Sequence, residues 1–224
     1  MNITTQLRNG LLLTMLATAC SGAFAAESAD LSVKGVIRPS ACSIALSNNG
    51  TVDYGTISAK SLSATAATKL PDREVTMTIN CDAATKVGFM VMDNRETTGS
   101  YSLVDQVDPA AYGANGFGLG AVDGKNLGAY GIRASAQDAT GDGAEIGGLS
   151  YGTGPWFPAS NFGNYIRANV AYAWSDTDGG AANSYTTISQ VLRIVGVLNS
   201  TADLPSLTSN VELDGSATIS VFYL

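Results

Sequence analysis

Cys42 and Cys81 are the residues whose chemistry is easiest to read in this 224-residue chain. A third cysteine, Cys20, lies in an N-terminal stretch that reads as a secretory signal. Arg8 precedes an apolar run from Leu11 to Ala17, and a small-residue stretch ends at Ala23-Phe24-Ala25, the A-x-A pattern that signal peptidase accepts. A lipoprotein signal would need a large aliphatic residue three before Cys20, where Ala17 stands. Cleavage after Ala25 removes Cys20. It leaves an even pair of cysteines in an exported chain, which reads as a disulfide. Such a bond closes a loop of about forty residues and stabilises by roughly 3–4 kcal/mol on the chain-entropy account.

Other chemistry is sparse. There is no histidine, which removes the commonest general base and metal ligand. With the two cysteines paired, no free thiol remains. Asp176-Thr177-Asp178-Gly179, and Asp138 with Asp142, hint at calcium loops, but they lack the spacing that gathers five or six oxygens round one ion. Solvated turn carboxylates are the favoured account. Trp156, Phe157, Tyr165, Tyr172 and Trp174 are candidates for a sugar-binding surface, with Trp156 and Trp174 as its ligand aromatics. Core packing and turn anchoring are the favoured account of the group. No catalytic residue, metal site or cofactor is expected, and the chain is not expected to be an enzyme.

Composition sets the partners. The formal net charge is −7, and only 14% of residues are charged. An acidic, weakly charged surface argues against nucleic acid and anionic membrane. No second apolar run reaches spanning length, so no membrane anchoring is expected after signal cleavage.

The elements that must position these residues read as strands. Val33–Ile37, Cys42–Leu46, Val52–Ile57, Val75–Cys81 and Val87–Met92 are expected strands, with Asn48-Asn49-Gly50 as a turn. Residues 94–163 are glycine-rich, with short strands expected around Phe117–Leu119 and Tyr130–Ala134 and a flexible loop from Asp138 to Gly148. Alternation returns over Ile166–Trp174, Ile188–Val197 and Val211–Tyr223. Many short strands, turn punctuation and one disulfide indicate an all-β antiparallel sandwich.

The two chain ends are unusual. The last strand alternates up to the penultimate residue, and an apolar edge of that length needs cover. The opposite end offers a short segment, 26–34, with Ala29, Leu31 and Val33 at alternate positions. Such a segment suits β-strand addition to another domain's open edge. Pairing of both ends within one sandwich is the equal alternative.

Val33-Lys34-Gly35-Val36-Ile37, Cys42-Ser43-Ile44, Val52-Asp53-Tyr54-Gly55-Thr56-Ile57, the Glu74–Cys81 run and the ending Ala217-Thr218-Ile219-Ser220-Val221-Phe222-Tyr223-Leu224 together resemble chaperone–usher fimbrial subunits (pilins) of Gram-negative bacteria. The resemblance covers residues 31–92 and 185–224. It implies an incomplete immunoglobulin-like antiparallel β-sandwich lacking its final strand, spanning 35–224 with an elaborated middle at 94–163. Residues 26–34 would be the N-terminal donor-strand extension, donating through Ala29, Leu31 and Val33. Ala217, Ile219, Val221 and Tyr223 would line the groove and meet the chaperone. The implied partners are a periplasmic pilus chaperone, an outer-membrane usher, neighbouring fimbrial subunits and a host glycan. The implied destination is the cell surface, through the periplasm. A self-complete exported carbohydrate-binding sandwich is the alternative.

Overall fold

The computed structural model describes residues 29–37, 41–99, 101–111 and 116–224. The expected signal peptide, 1–25, lies outside them, as do residues 26–28 of the expected donor extension. The chain divides into two units, Met1–Arg38 and Pro39–Leu224. In the first, residues 29–37 form no regular element, and Ala29, Leu31 and Val33 are exposed. The strand expected over Val33–Ile37 is absent, because an extended segment without a ladder partner has no hydrogen bonds to hold it.

Alternation sets the strands of the second unit: β1 (Cys42–Leu46), β2 (Thr68–Lys69), β3 (Arg73–Asp93), β4 (Phe117–Gly118), β5 (Ala121–Val122), β6 (Lys125–Asn126), β7 (Gly128–Gly141), β8 (Ala144–Glu145), β9 (Gly148–Tyr151), β10 (Phe157–Pro158), β11 (Ala171–Ser175), β12 (Ser184–Leu198) and β13 (Ala217–Tyr223). One short helix, α1 (Tyr101–Asp105), lies between β3 and β4. The strands pair antiparallel throughout.

β3 organises the fold. Val75, Met77, Ile79 and Cys81 point inward, and after a solvent-exposed stretch so do Val87, Phe89, Val91 and Asp93. Its first half carries one layer, ordered β1-β3-β12-β7-β4. Its second half carries the other, ordered β13-β3-β11-β9-β10. The sequence suggested two strands here. The run Asp82–Lys86, none of it buried, instead marks where one long strand passes between layers.

The two layers enclose one core. Met77, Ile79, Ile132, Ile188 and Leu192 of the first layer meet Phe89, Val91, Leu149, Tyr172 and Trp174 of the second. Gln190 is fully buried among them. Its Oε1 accepts from the Trp174 indole N–H at 3.0 Å, and its Nε2 donates to the Ser135 and Val191 carbonyls. A buried amide needs such partners. Cys42 and Cys81 sit opposite each other on β1 and β3 and are joined by a disulfide.

The glycine-rich middle adds a second, smaller core on the outer face of the first layer. Leu103 and Val104 of α1, with Ala111 and Tyr165, cover Ala129, Val195 and Val197. The close fit requires glycine at 131, where a Cβ would come within 2.5 Å of the Tyr165 ring. The flexible loop expected over Asp138–Gly148 is instead largely strand. β7 runs to Gly141, Asp142 and Gly143 turn at positive φ, and β8 follows. The Asp142 carboxylate accepts from the Thr186 and Thr187 amides, which pins the turn to β12. The strand expected over Ile166–Trp174 is shortened to β11. Asn169 takes a positive φ, and the Ile166 and Asn169 amides donate to Ile132 and Val91 carbonyls outside the ladder.

Candidate functional site

Sheet edges are the places to look for a site in an antiparallel sandwich, because an edge leaves a row of backbone groups unpaired. Among the described residues β13 pairs only with β3, and β1 pairs only with β3. The chain beside each edge forms no strand over 51–58 and 205–216. A groove lies between them. Its first chamber, of about 290 Å³, has a floor from the inner face of the first layer: Val75, Ile132, Leu192 and Ile194. Leu46, Val52 and Tyr54 form one wall, and Leu213, Ala217 and Ile219 form the other. A second chamber, of about 470 Å³, shares Val52, Tyr54 and Leu213 with the first and continues past Ile57, Leu62, Leu204 and Leu207.

Burial separates this side of the molecule from the rest of the core. The floor is buried, whereas Leu46, Val52, Tyr54, Ile57, Leu207, Val211, Leu213 and Ile219 are only half-buried. Eight incompletely covered apolar side chains thus line the groove's two walls. Burial pushes the Tyr54 phenol above its ordinary pKa, against the nearby Arg73 guanidinium, and raises the Tyr130 phenol as well. Both lining tyrosines are neutral at ordinary pH; the first chamber is lined mainly by aliphatic side chains, whereas the second adds Asp53, Ser209, Asn210 and Glu212. At its mouth Arg95 pairs with Asp214 at 2.7 Å, fixing the segment that leads into β13.

Of the groove-strand residues expected from the sequence, Ala217 and Ile219 line the first chamber. Val221 is half-buried against the core further along β13. Tyr223 does something else. It is 55% exposed, and its hydroxyl accepts the Cys42 backbone N–H at 2.9 Å, tying the end of β13 to the start of β1 beside the disulfide. Leu46, Val52, Tyr54 and Leu213 were missed as site residues. They read as ordinary apolar positions, and they meet Ile219 only through folding.

The strand expected over Val52–Ile57 is not formed. Gly55 has a positive φ and donates its N–H to the Asp53 side chain, a local turn that competes with a ladder. The alternation from Val211 to Tyr223 becomes a strand only from Ala217.

The proposed ligand pair Trp156 and Trp174 is not one surface. Trp174 is fully buried beneath Gln190, and only Trp156 is half-exposed. The acidic turns are occupied locally: Asp178 binds Ser160, Asp176 binds Asn183, and Asp142 holds β12 amides. Gly148-Leu149-Ser150-Tyr151-Gly152 has G-x-S-x-G spacing. It is no nucleophile elbow. Ser150 is wholly buried within β9 and shares a 2.9 Å hydrogen bond with Ser175, whereas an elbow exposes its serine on a strand-to-helix turn.

Residues 31–131 match a family described as "Protein of unknown function (DUF1120)". The chain is similar to "Uncharacterized protein YhcF" of Escherichia coli (strain K12), at 28% identity over 236 residues, covering 96% of this chain and 98% of that protein. It is similar also to "Protein GltF" of the same organism, at 29% identity over 253 residues, covering 97% and 98%. At 96% and 97% of the chain, these similarities run past the family match and take in the glycine-rich middle.

Proposed function

We propose that the protein is a structural or adhesive subunit of a surface fimbria, held by a periplasmic chaperone and assembled by donor-strand exchange at an outer-membrane usher. The observation that carries this reading is the groove flanked by the unpaired edge of β13 and walled by half-buried apolar residues from 46–57 and 207–219. A strand laid there would pair its backbone with β13 and bury alternate side chains against Leu46, Val52, Leu213 and Ile219. Left open, the same groove exposes apolar surface and an edge ready for aggregation. Filling it from a neighbouring subunit makes a head-to-tail contact, which gives an open fibre.

The other features fit this reading. The Cys42–Cys81 disulfide suits an oxidising compartment outside the cytoplasm. It also ties β1, one wall of the groove, to β3 before a partner arrives. Ala29, Leu31 and Val33 alternate in the exposed N-terminal segment, as a donor requires. No catalytic step is assigned to the protein.

The test is to purify residues 26–224 alone and add a peptide of residues 26–38. The expected result is an unstable or aggregating subunit whose melting temperature rises with peptide. A stable monomer with a cooperative transition that the peptide does not shift would overturn the reading and favour a self-complete sandwich. Deleting residues 218–224 is expected to abolish chaperone capture.

A further inference from the structure

The far edge of the second layer carries a different surface. From β13 the order runs through β3 and β11 to β9 and β10, so this edge lies across the layer from the groove. Tyr151 of β9 stacks on Phe157 of β10, with ring centroids 5.3 Å apart and planes at 26°. Phe162 tilts against Tyr151 at 5.1 Å, and the Arg167 guanidinium lies over Phe162 at 4.8 Å from its centroid. Four side chains thus form a continuous run. Phe157 is 43% exposed, and Tyr151, Phe162 and Arg167 are half-buried.

The run stands on a rigid base. Fully buried Tyr172 lies under Tyr151 and accepts the Arg167 backbone N–H at 2.9 Å. Among the described residues no carboxylate pairs with Arg167, while Lys69, Arg95 and Arg193 each have an acidic partner. A guanidinium stacked on a ring keeps its N–H edge free, and that edge matches a carboxylate in a two-point hydrogen bond. Exposed aromatic faces offer an apolar platform to the C–H face of a sugar ring.

We infer that this edge binds an acidic oligosaccharide, with one sugar ring against the exposed Phe157 and a carboxylate of the same ligand on Arg167. Charge complementarity selects this occupant: in an acidic chain, an unpaired arginine at the end of an aromatic run favours an anionic ligand over a neutral one. The site shares no residue with the groove, so filling the groove leaves it open.

The experiment titrates the full mature chain, with a groove-filling peptide added if solubility requires it, with 3′-sialyllactose, tri-galacturonic acid and lactose. The acidic sugars are expected to bind, and lactose about tenfold more weakly, the value of one charge-assisted contact. Arg167→Gln should bring acidic sugars down to the lactose level. Phe157→Leu, which keeps apolar bulk and removes the ring, should weaken all three. Melting temperatures report whether each variant is folded. A folded protein that binds none of the probes overturns the inference. So does equal binding of lactose and acidic sugars, or binding that Arg167→Gln leaves unchanged. Self-association that Phe157→Leu abolishes, without sugar binding, overturns it in favour of a contact with a second copy.

Discussion

The two edges of the second layer end in opposite ways. At one, β13 presents seven residues without proline, lysine or a bulge, alternating to Val221, and Ala217 and Ile219 face the groove. At the other, β10 has two residues, the second is Pro158, and a 3-10 turn over Ala159–Phe162 ends it at once. Short strands and prolines are the means by which a sheet refuses a further strand. The lesson is that the same sheet is guarded where addition would be harmful and left unguarded on one side only. Under the proposed function, the edge left open beside the groove is where the incoming strand adds.

The sharpest way to break this comparison is to charge each edge in turn. Ile219→Asp puts a carboxylate on the groove wall, and burying it under a strand would be costly without a partner. It is expected to abolish the rise in melting temperature given by the 26–38 peptide. Leu213→Asp repeats the test from the segment before β13. Phe157→Asp at the guarded edge should leave the rise intact. Equal responses from Ile219→Asp and the unchanged protein would show that β13 is not the accepting edge.

A smaller effect is expected between the two edges. Gly88 on β3 lies under both neighbours. A Cβ there would come within 2.5 Å of the Phe222 ring and 2.6 Å of the Tyr172 carbonyl oxygen. Gly88→Ala therefore pushes β13 and β11 apart and should destabilise by roughly 1–3 kcal/mol in denaturant unfolding, the range for overpacking. If Phe222→Ala in the same chain restores most of the loss, the clash is with β13. If it does not, β11 carries it.

The closed side depends on satisfied polar groups as well as packing. Gln190→Leu removes the acceptor of the Trp174 indole N–H in a dry core. About 1–2 kcal/mol of stability should be lost, since an unpaired buried donor forfeits its desolvation energy. Peptide uptake at the groove should survive. A variant as stable as the unchanged protein would show that the indole finds another acceptor.

The sequence made the all-β class, the disulfide and most strands legible, because alternation and paired cysteines are local signals. It misled where alternation lacked a ladder. Val211, Leu213 and Gly215 continue the pattern of β13, and Val52, Tyr54 and Ile57 look like a strand, yet neither run is paired. Alternation reports which side chains face apolar surroundings, not whether the backbone has a neighbour. Those runs are the groove walls, so the failed strand assignments mark the candidate site. Trp174 was legible as core, the favoured account of its aromatic group; what the sequence did not show is its hydrogen bond with Gln190, which satisfies the buried amide. The aromatic run ending in Arg167 depends on β9, β10 and the 3-10 turn meeting, which no short-range spacing encodes.

The smallest effect belongs to the guard itself. Pro158 pairs with Ser150 at the outermost position of the layer and lies against Gly179, where a Cβ would come within 2.9 Å of its ring. Pro158→Thr restores an N–H and a strand-forming side chain at an edge with no further neighbour among the described residues. The native fold loses little by it, within about 0.5 kcal/mol for a surface substitution. What should change is association: a longer, hydrogen-bonding edge gives a second place for strands to add. Concentration-dependent light scattering, with the groove filled by peptide, reads this directly. A rise confined to Pro158→Thr would show that the proline limits addition to the β13 side. Unchanged scattering would mean that the brevity of β10 and the turn after it suffice, and that the two edges differ by length rather than by a blocked hydrogen bond.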